Sequence, residues 1–402
     1  MSLDLNKVAA QIDGMAASLK DDEANRKGCL SRALEVLREQ SGDLEALKEK
    51  IRNEKTTWLV AGLTDGLTAR HPPPTCPADF AVLASDGSHI DVDRHSPARC
   101  YLINTGSVAL RYGANPDAIL RSQPTLFAGK EDLVIVDPRG SAEQPVEGGL
   151  LGFKRAVAEC EALAELGGEL SPDVPAVALL DGSLIMWGIA GRNYQEYIRT
   201  ELLQNGFLRA LDRISSLGEK TGLALASYIS LPRATDVVNA LRVAICPHET
   251  ADCDRHCPRS AVSEGRACDA IAGVRDRDIF SVLLEPGERS ATFISRSSVV
   301  KDYYGDHEVR FFYIKSGDEV SRVEFPRWVE ERGLLDTVHA LILDQCRRGQ
   351  GYPVALSESH EQAVVTGADR EQFQYLVELA LAGYGLPATT SEKSRSKRTR
   401  WV

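Results

Sequence analysis

The sequence predicts a mixed α/β fold, on three observations. Residues 80–85 (Phe-Ala-Val-Leu-Ala-Ser) and 177–180 (Val-Ala-Leu-Leu) are short, almost wholly apolar runs, which is how strands covered on both faces read. A first block of such strands gives way to alternating helical and extended patterns, the order of a mixed sheet flanked by helices. Ahead of them, residues 3–56 carry helical apolar spacing and no strand signal, which adds an N-terminal helical extension.

Within that extension Val8, Ile12, Met15 and Leu19 form a 3-4 stripe. Leu30, Leu37, Leu44 and Ile51 repeat every seventh residue, with Leu34 and Leu47 between them. Gly42 interrupts the pattern, so a long perfect coiled coil is not expected; a helical hairpin packed on its own domain and a dimer or partner contact both fit. Residues 71–77 (His-Pro-Pro-Pro-Thr-Cys-Pro) make a stiff connector, because proline continues neither helix nor central strand. The expected division is a helical region 1–70, a mixed domain 78–385 with a cysteine-rich insert at 246–268, and a basic, aperiodic tail at 388–402.

The domain opens with the strand at residue 80, followed by strands near 99–104 and 107–112 and shorter pieces up to Val136. Helix is expected over 145–167, strand at 177–180, helix over 194–217 and strand over 223–229. Residues 291–295, 309–315 and 320–325 read as antiparallel strands, with helices near 332–348 and 369–383.

One phrase recurs. Both apolar strands run into Asp-Gly-Ser, at Asp86-Gly87-Ser88 and Asp181-Gly182-Ser183, where glycine lets the chain turn. Asp-Gly is a common turn signal by itself. Two copies at the mouths of neighbouring strands would place carboxylates together, and these repel unless protonated or bridged by a cation, for which hard divalent ions take oxygen ligands. Glycine directly after the acid does not match the Asp-Thr/Ser-Gly order of aspartic proteases. Between the copies, Arg155 and Glu159 share a helix face at four-residue spacing; spacing alone makes them an exposed ion pair. Further on, Tyr352-Pro353 and His360-Glu361 bracket an apolar extended piece.

Taken together, strand-Asp-Gly-Ser, a helix with Arg-x-x-x-Glu, strand-Leu-Asp-Gly-Ser-Leu and a late Tyr-Pro-x-x-Leu-x-x-x-His-Glu resemble the NurA nucleases over roughly residues 78–385. The resemblance implies an RNase H-like core and a Mn²⁺- or Mg²⁺-dependent nuclease that works as a homodimer. It also implies processing of DNA ends in recombination repair, docked on a HerA-type hexameric ATPase. Carried over, Asp86, Glu159, Asp181 and His360 are metal ligands, with Tyr352 completing the catalytic set; Glu161 and Glu165 share the helix of Glu159. Such oxygen ligands with one imidazole suit Mn²⁺ or Mg²⁺. A non-catalytic scaffold or DNA-binding subunit, and a phosphodiesterase acting on small nucleotides, are the rival expectations.

Cys246, Cys253, Cys257 and Cys268, with His248 and His256, crowd a turn-rich stretch. Their spacing matches neither a paired Cys-x-x-Cys ribbon nor a ferredoxin run, so Zn²⁺, an iron–sulfur cluster and a loop of free thiols are the candidates. Residues 231–242 place Arg and Thr near a helix start, a favourable place for a phosphate. Residues 300–304 and 310–315 interleave basic and aromatic residues as single-strand binders do, or form a plain strand with a buried aromatic face.

The chain has 402 residues and a net charge of −11, which argues against a generally basic nucleic-acid coat but not against a local basic groove. No apolar run reaches the roughly 20 residues that span a bilayer, and the first residues lack the pattern of a secretory signal. Nine cysteines, an odd count, favour a reducing cytoplasmic compartment.

Overall fold

The computed structural model describes residues 4–92, 98–171, 174–189, 194–257 and 265–386; the tail expected at 388–402 lies outside them. The elements used below are, in chain order, helices α1 (Leu5–Gln40) and α2 (Leu44–Arg52), and strands β1 (Phe80–Ile90), β2 (Tyr101–Tyr112) and β3 (Asp117–Phe127). Helix α3 (Gly149–Gly168), strand β4 (Ala176–Asp181), helix α4 (Arg209–Thr221) and strand β5 (Leu223–Ile229) follow. Then come α5 (Asp236–Ala244), α6 (Cys253–His256), α7 (Asp276–Leu283), β6 (Val309–Ser316), β7 (Glu319–Pro326), α8 (Leu335–Arg348), α9 (Val354–Ala363) and α10 (Gly367–Gly383).

Two compact units are present. The first joins residues 1–73 to 229–297 and 310–323; the second comprises 74–228, 298–309 and 324–402. In the second unit the strands run β3-β2-β1-β4-β5. β1 to β3 are antiparallel neighbours, and β4 and β5 run parallel to β1. A three-stranded meander followed by two strands parallel to its first member is the RNase H-like order. Val82, Leu83, Ala84 and all of Val177, Ala178, Leu179 and Leu180 are buried, as expected of strands covered on both faces.

Two local readings are corrected. β1 does not turn at Asp86-Gly87 but continues to Ile90, paired with β2 throughout. The two strands expected around 99–112 are one, because Asn104, Thr105 and Gly106 pair with Ser88, Gly87 and Asp86 and keep the polar stretch in the ladder. At the second copy the turn is real: Gly182 has φ +86° and ends β4.

In the first unit, Ala33, Val36 and Leu37 of α1 and Leu47 and Ile51 of α2 join a core with Val237 and Leu241 of α5, Ile279 and Phe280 of α7, and Phe311 and Tyr313 of β6. The break between the helices falls at Gly42, as the spacing predicts. The stripe of Ile12, Met15 and Leu19, in contrast, stays more than half exposed.

At the start of α5, the place expected for a phosphate, two of the backbone N–H groups are already taken. Asp276 is fully buried there and accepts from the backbone N–H groups of Val237 (3.1 Å) and Val238 (2.8 Å) and from the Tyr313 hydroxyl (2.7 Å). An internal carboxylate thus fills the anion position that a helix N-terminus offers. In β6, Phe311, Phe312 and Tyr313 are buried, so the basic-aromatic segment is a core strand.

Candidate active site

The parallel register sets the two aspartates side by side. Ser85 of β1 lies level with Leu180 of β4, so the next residues, Asp86 and Asp181, occupy adjacent strand positions at about the 4.8 Å inter-strand spacing. Alternation along β1 sends Ser85 and Gly87 to one face and Asp86 and Ser88 to the other. Helix α3 covers the first face: Ser85 Oγ donates to the Glu159 carbonyl at 2.7 Å, and Arg155 Nη1 to the Gly87 carbonyl at 2.9 Å.

Gly87 is what brings Glu159 in. A Cβ at this position would stand 2.7 Å from Glu159 Oε1 and 2.9 Å from Arg155 Cγ, so only glycine leaves the glutamate a path past the strand. Arg155 Nε lies 3.2 Å from Glu159 Oε1, but the pair lacks hydrogen-bond alignment and that carboxylate oxygen is buried without a hydrogen-bond partner. Burial pushes the Glu159 carboxyl up to about 8; Arg155 opposes the shift, while Asp86 and Asp181 add to it. The Arg155–Glu159 spacing read from the sequence therefore belongs to the site and not to an exposed surface.

Helix α9 brings the remaining groups to the opposite face. His360 Nδ1 lies 2.7 Å from Asp86 Oδ2. Tyr352, just ahead of α9, donates its hydroxyl to Asp181 and packs edge-on against Tyr228, with ring centroids 5.6 Å apart. Desolvation, then the Asp181 charge, pushes the phenol up, so it stays a neutral donor. Although one side of Asp181 is open to solvent, its carboxyl is raised, chiefly by desolvation; the Tyr352 hydrogen bond opposes this and Asp86 adds to it.

Several positioning residues carry no motif. Gly106 lies opposite Asp86 in the ladder, and a Cβ there would fall 2.2 Å from the Ser359 carbonyl oxygen, so its absence lets α9 rest on the strand. Ser88 Oγ and Asn104 Nδ2 both donate to the Ala363 carbonyl, at 2.5 and 2.9 Å, satisfying the end of α9. At its other end, buried Gln345 accepts from the Ala355 N–H at 3.0 Å. The second Asp-Gly-Ser is held by buried Glu324, which accepts from Ser183 Oγ (2.7 Å) and the Leu184 N–H (2.9 Å). Tyr304 clamps the same loop, accepting from the Met186 N–H and donating to the Leu184 carbonyl, each at 2.9 Å. The only sequence signal was small and polar residues, Asn104 and Gly106, inside an otherwise apolar strand.

The structure thus brings Asp86, Glu159, Asp181, Tyr352 and His360 together, all in the second unit. Glu161 and Glu165 lie elsewhere on α3: Glu161 pairs with Arg209 at 3.9 Å, and Glu165 lines a separate surface cleft with Arg213 and Lys220. Cys246, Cys253, Cys257 and Cys268 belong to the first unit. Among the described residues, no three His, Cys, Asp or Glu side chains already converge on a single-ion position; at Asp86, the His360 ring occupies one carboxylate oxygen.

An RNase H-like sheet thus carries two aspartates at adjacent strand positions, with a third carboxylate on the flanking helix within electrostatic reach of both. The family model of the NurA domain matches residues 80–365. The chain belongs to the NurA family, a nuclease family. No curated protein sequence matches it. Among solved structures it is similar to LC9-RNase H1, a type 1 RNase H with the type 2 active-site motif, at 13% identity over 41% of this chain and 70% of that one, with a TM-score of 0.22. That likeness is too loose to bear on the fold, which rests on strand order. No helix among the described residues is long and apolar enough to cross a membrane.

Proposed function

We propose that the protein is a divalent-metal-dependent DNA nuclease that processes DNA ends in recombination repair. The observation that supports this reading is that Asp86 and Asp181 occupy adjacent strand positions with Glu159 within electrostatic reach of both, one buried Glu159 oxygen having no hydrogen-bond partner. Three crowded carboxylates, one of them held largely protonated near neutral pH, are an arrangement that a hard cation relieves. Asp86, Asp181 and Glu159 would hold Mn²⁺ or Mg²⁺, and His360 either joins them or steadies Asp86. When bound, the ion supplies Lewis acidity towards water and the scissile phosphate and offsets the negative charge that would otherwise repel DNA.

The chain's own groups do the positioning. Tyr352 fixes one Asp181 oxygen through its neutral hydroxyl, Arg155 holds Glu159 against β1, and the Glu324–Ser183 hydrogen bond keeps the β4 loop from drifting. A HerA-type ATPase partner, a homodimeric state and a cytoplasmic setting belong to the same proposal and rest on family membership and composition.

The test is cleavage of linear DNA with Mn²⁺ by the protein and by Asp86→Ala. Ion-dependent degradation that falls by about 100-fold or more in the variant is expected, on the scale of losing one electrostatic stabiliser. Undiminished cutting by Asp86→Ala would remove this site from catalysis. Offering short nucleotides beside duplex DNA separates a small-substrate phosphodiesterase from the proposed activity.

A further inference from the structure

The first unit holds a second group of reactive side chains for which the nuclease reading has no use. Cys246 follows α5; its N–H donates to the Val243 carbonyl at 3.2 Å and its carbonyl accepts from Lys50 Nζ at 2.6 Å. Cys253 opens α6 and Cys257 follows it, the Cys257 N–H bonded to the Cys253 carbonyl at 3.0 Å, so the two lie one helical turn apart. That turn is itself anchored, because the Cys253 N–H donates to the Lys55 carbonyl at 3.2 Å. Cys268 is buried in the single turn Ala267–Ile271. From these three short segments the Cys246, Cys257 and Cys268 sulfurs all come within electrostatic reach of Cys253. All four are free thiols.

The plain alternative is that these cysteines are small core apolar residues. Two features speak against it. Only Cys268 of the four is buried; the others are half-exposed. And a cation stands among them: Arg242 Nη2 donates towards Cys268 Sγ at 3.8 Å while its guanidinium lies 3.7 Å over the Trp58 ring. Positive neighbours stabilise thiolates, and N–H groups aimed at sulfur are what iron–sulfur clusters take from a protein.

The kind of metal follows from how the sulfurs are spread. A zinc ribbon draws its sulfurs from two closely spaced cysteine pairs, whereas here only Cys253 and Cys257 are so spaced, and Cys246 and Cys268 come from two other segments. A cubane sets a separate iron against each thiolate, so its four ligands frame a wider cage. We infer that Cys246, Cys253, Cys257 and Cys268 ligate an iron–sulfur cluster of the [4Fe–4S] type, which braces α5, α6 and the Ala267–Ile271 turn. Its role is structural: with four thiolates every iron is capped, and no redox step is assigned to it.

The test needs no DNA, so its outcome is independent of the nuclease assay. The full chain, purified without oxygen, is analysed for iron, acid-labile sulfide and zinc, and its visible spectrum is recorded. About four irons and four sulfides per chain, with a broad brown absorption, are expected for a cubane. Cys253→Ser and Cys257→Ser are expected to lose the colour and most of the iron, whereas Cys29→Ser, half-buried on α1, keeps both. Should the first two variants fail to fold, the iron and sulfide content of the unaltered chain decides alone. Stoichiometric zinc without sulfide, or a metal-free chain whose four thiols react freely with no change in melting temperature, overturns the proposal.

Discussion

Glu159 carries a burden in the fold that the proposed role as a metal ligand would explain. Its carboxyl is raised to about 8 in the folded chain from an ordinary value of 4.5, chiefly by burial. The folded state therefore binds a proton that the unfolded state has released, and stability without metal falls as pH rises from about 4.5 to about 8. Glu159→Gln mimics the protonated form. In chelator it is expected to gain about 1–3 kcal/mol over the parent at pH 8 and little at pH 4, read by urea unfolding at the two pH values, while ion-dependent cleavage is lost. A variant equally stable at both would contradict the protonation argument. At Gly87 an added methyl meets the glutamate's flexible end rather than backbone. Gly87→Ala is accordingly expected to cost only about 1–2 kcal/mol yet to reduce cleavage at least tenfold, because the displaced group is Glu159 itself.

At the scale of elements, α9 is the part whose placement decides the site, since it delivers His360 and follows directly on Tyr352. Its seat on β2 depends on Gly106, where a Cβ would strike the backbone of α9 at Ser359 and Ala363. Gly106→Ala should destabilise by about 2–3 kcal/mol and lower cleavage beyond what the loss of folded protein accounts for, measured by chemical unfolding beside an assay normalised to folded fraction. In the other unit, α5 depends on Asp276, which satisfies two orphan N–H groups at its start. Asp276→Ala leaves those donors and the Tyr313 hydroxyl buried without their acceptor, and a loss of about 3 kcal/mol or more is expected in a denaturant titration. A loss below about 1 kcal/mol would mean that α5 is held by its apolar face alone.

Over the whole chain, what could be read from residues was what depends on local pattern. The two apolar strands, the acids that follow them and the break between α1 and α2 at Gly42 all follow from composition within a few residues. Asp86 and Asp181 were legible as partners because both copies of the phrase end runs that only a doubly covered sheet accommodates. What escaped depends on residues distant in sequence. Gly87 reads as a turn, but it stays in the strand because Glu159, 72 residues on in the numbering, needs the space. Residues 99–112 read as two strands because Asn104 and Gly106 interrupt the apolar pattern, although those residues face the end of α9. The helix start near residue 236 reads as an anion site, but Asp276, 40 residues on from it, takes its N–H groups. The net charge of −11 is consistent with a site that handles a polyanion only once cations have reversed the local field.

The proposed cation site is open to direct measurement. Binding of Mn²⁺, followed by the loss of its free-ion electron paramagnetic resonance signal, is to be compared between the unaltered chain and a chain carrying Asp86→Asn and Asp181→Asn. The unaltered protein is expected to take up the ion with release of a proton near neutral pH, and the double variant to bind at least about 100-fold more weakly. Equal uptake by both proteins would contradict the claim that Asp86 and Asp181 form the cation site.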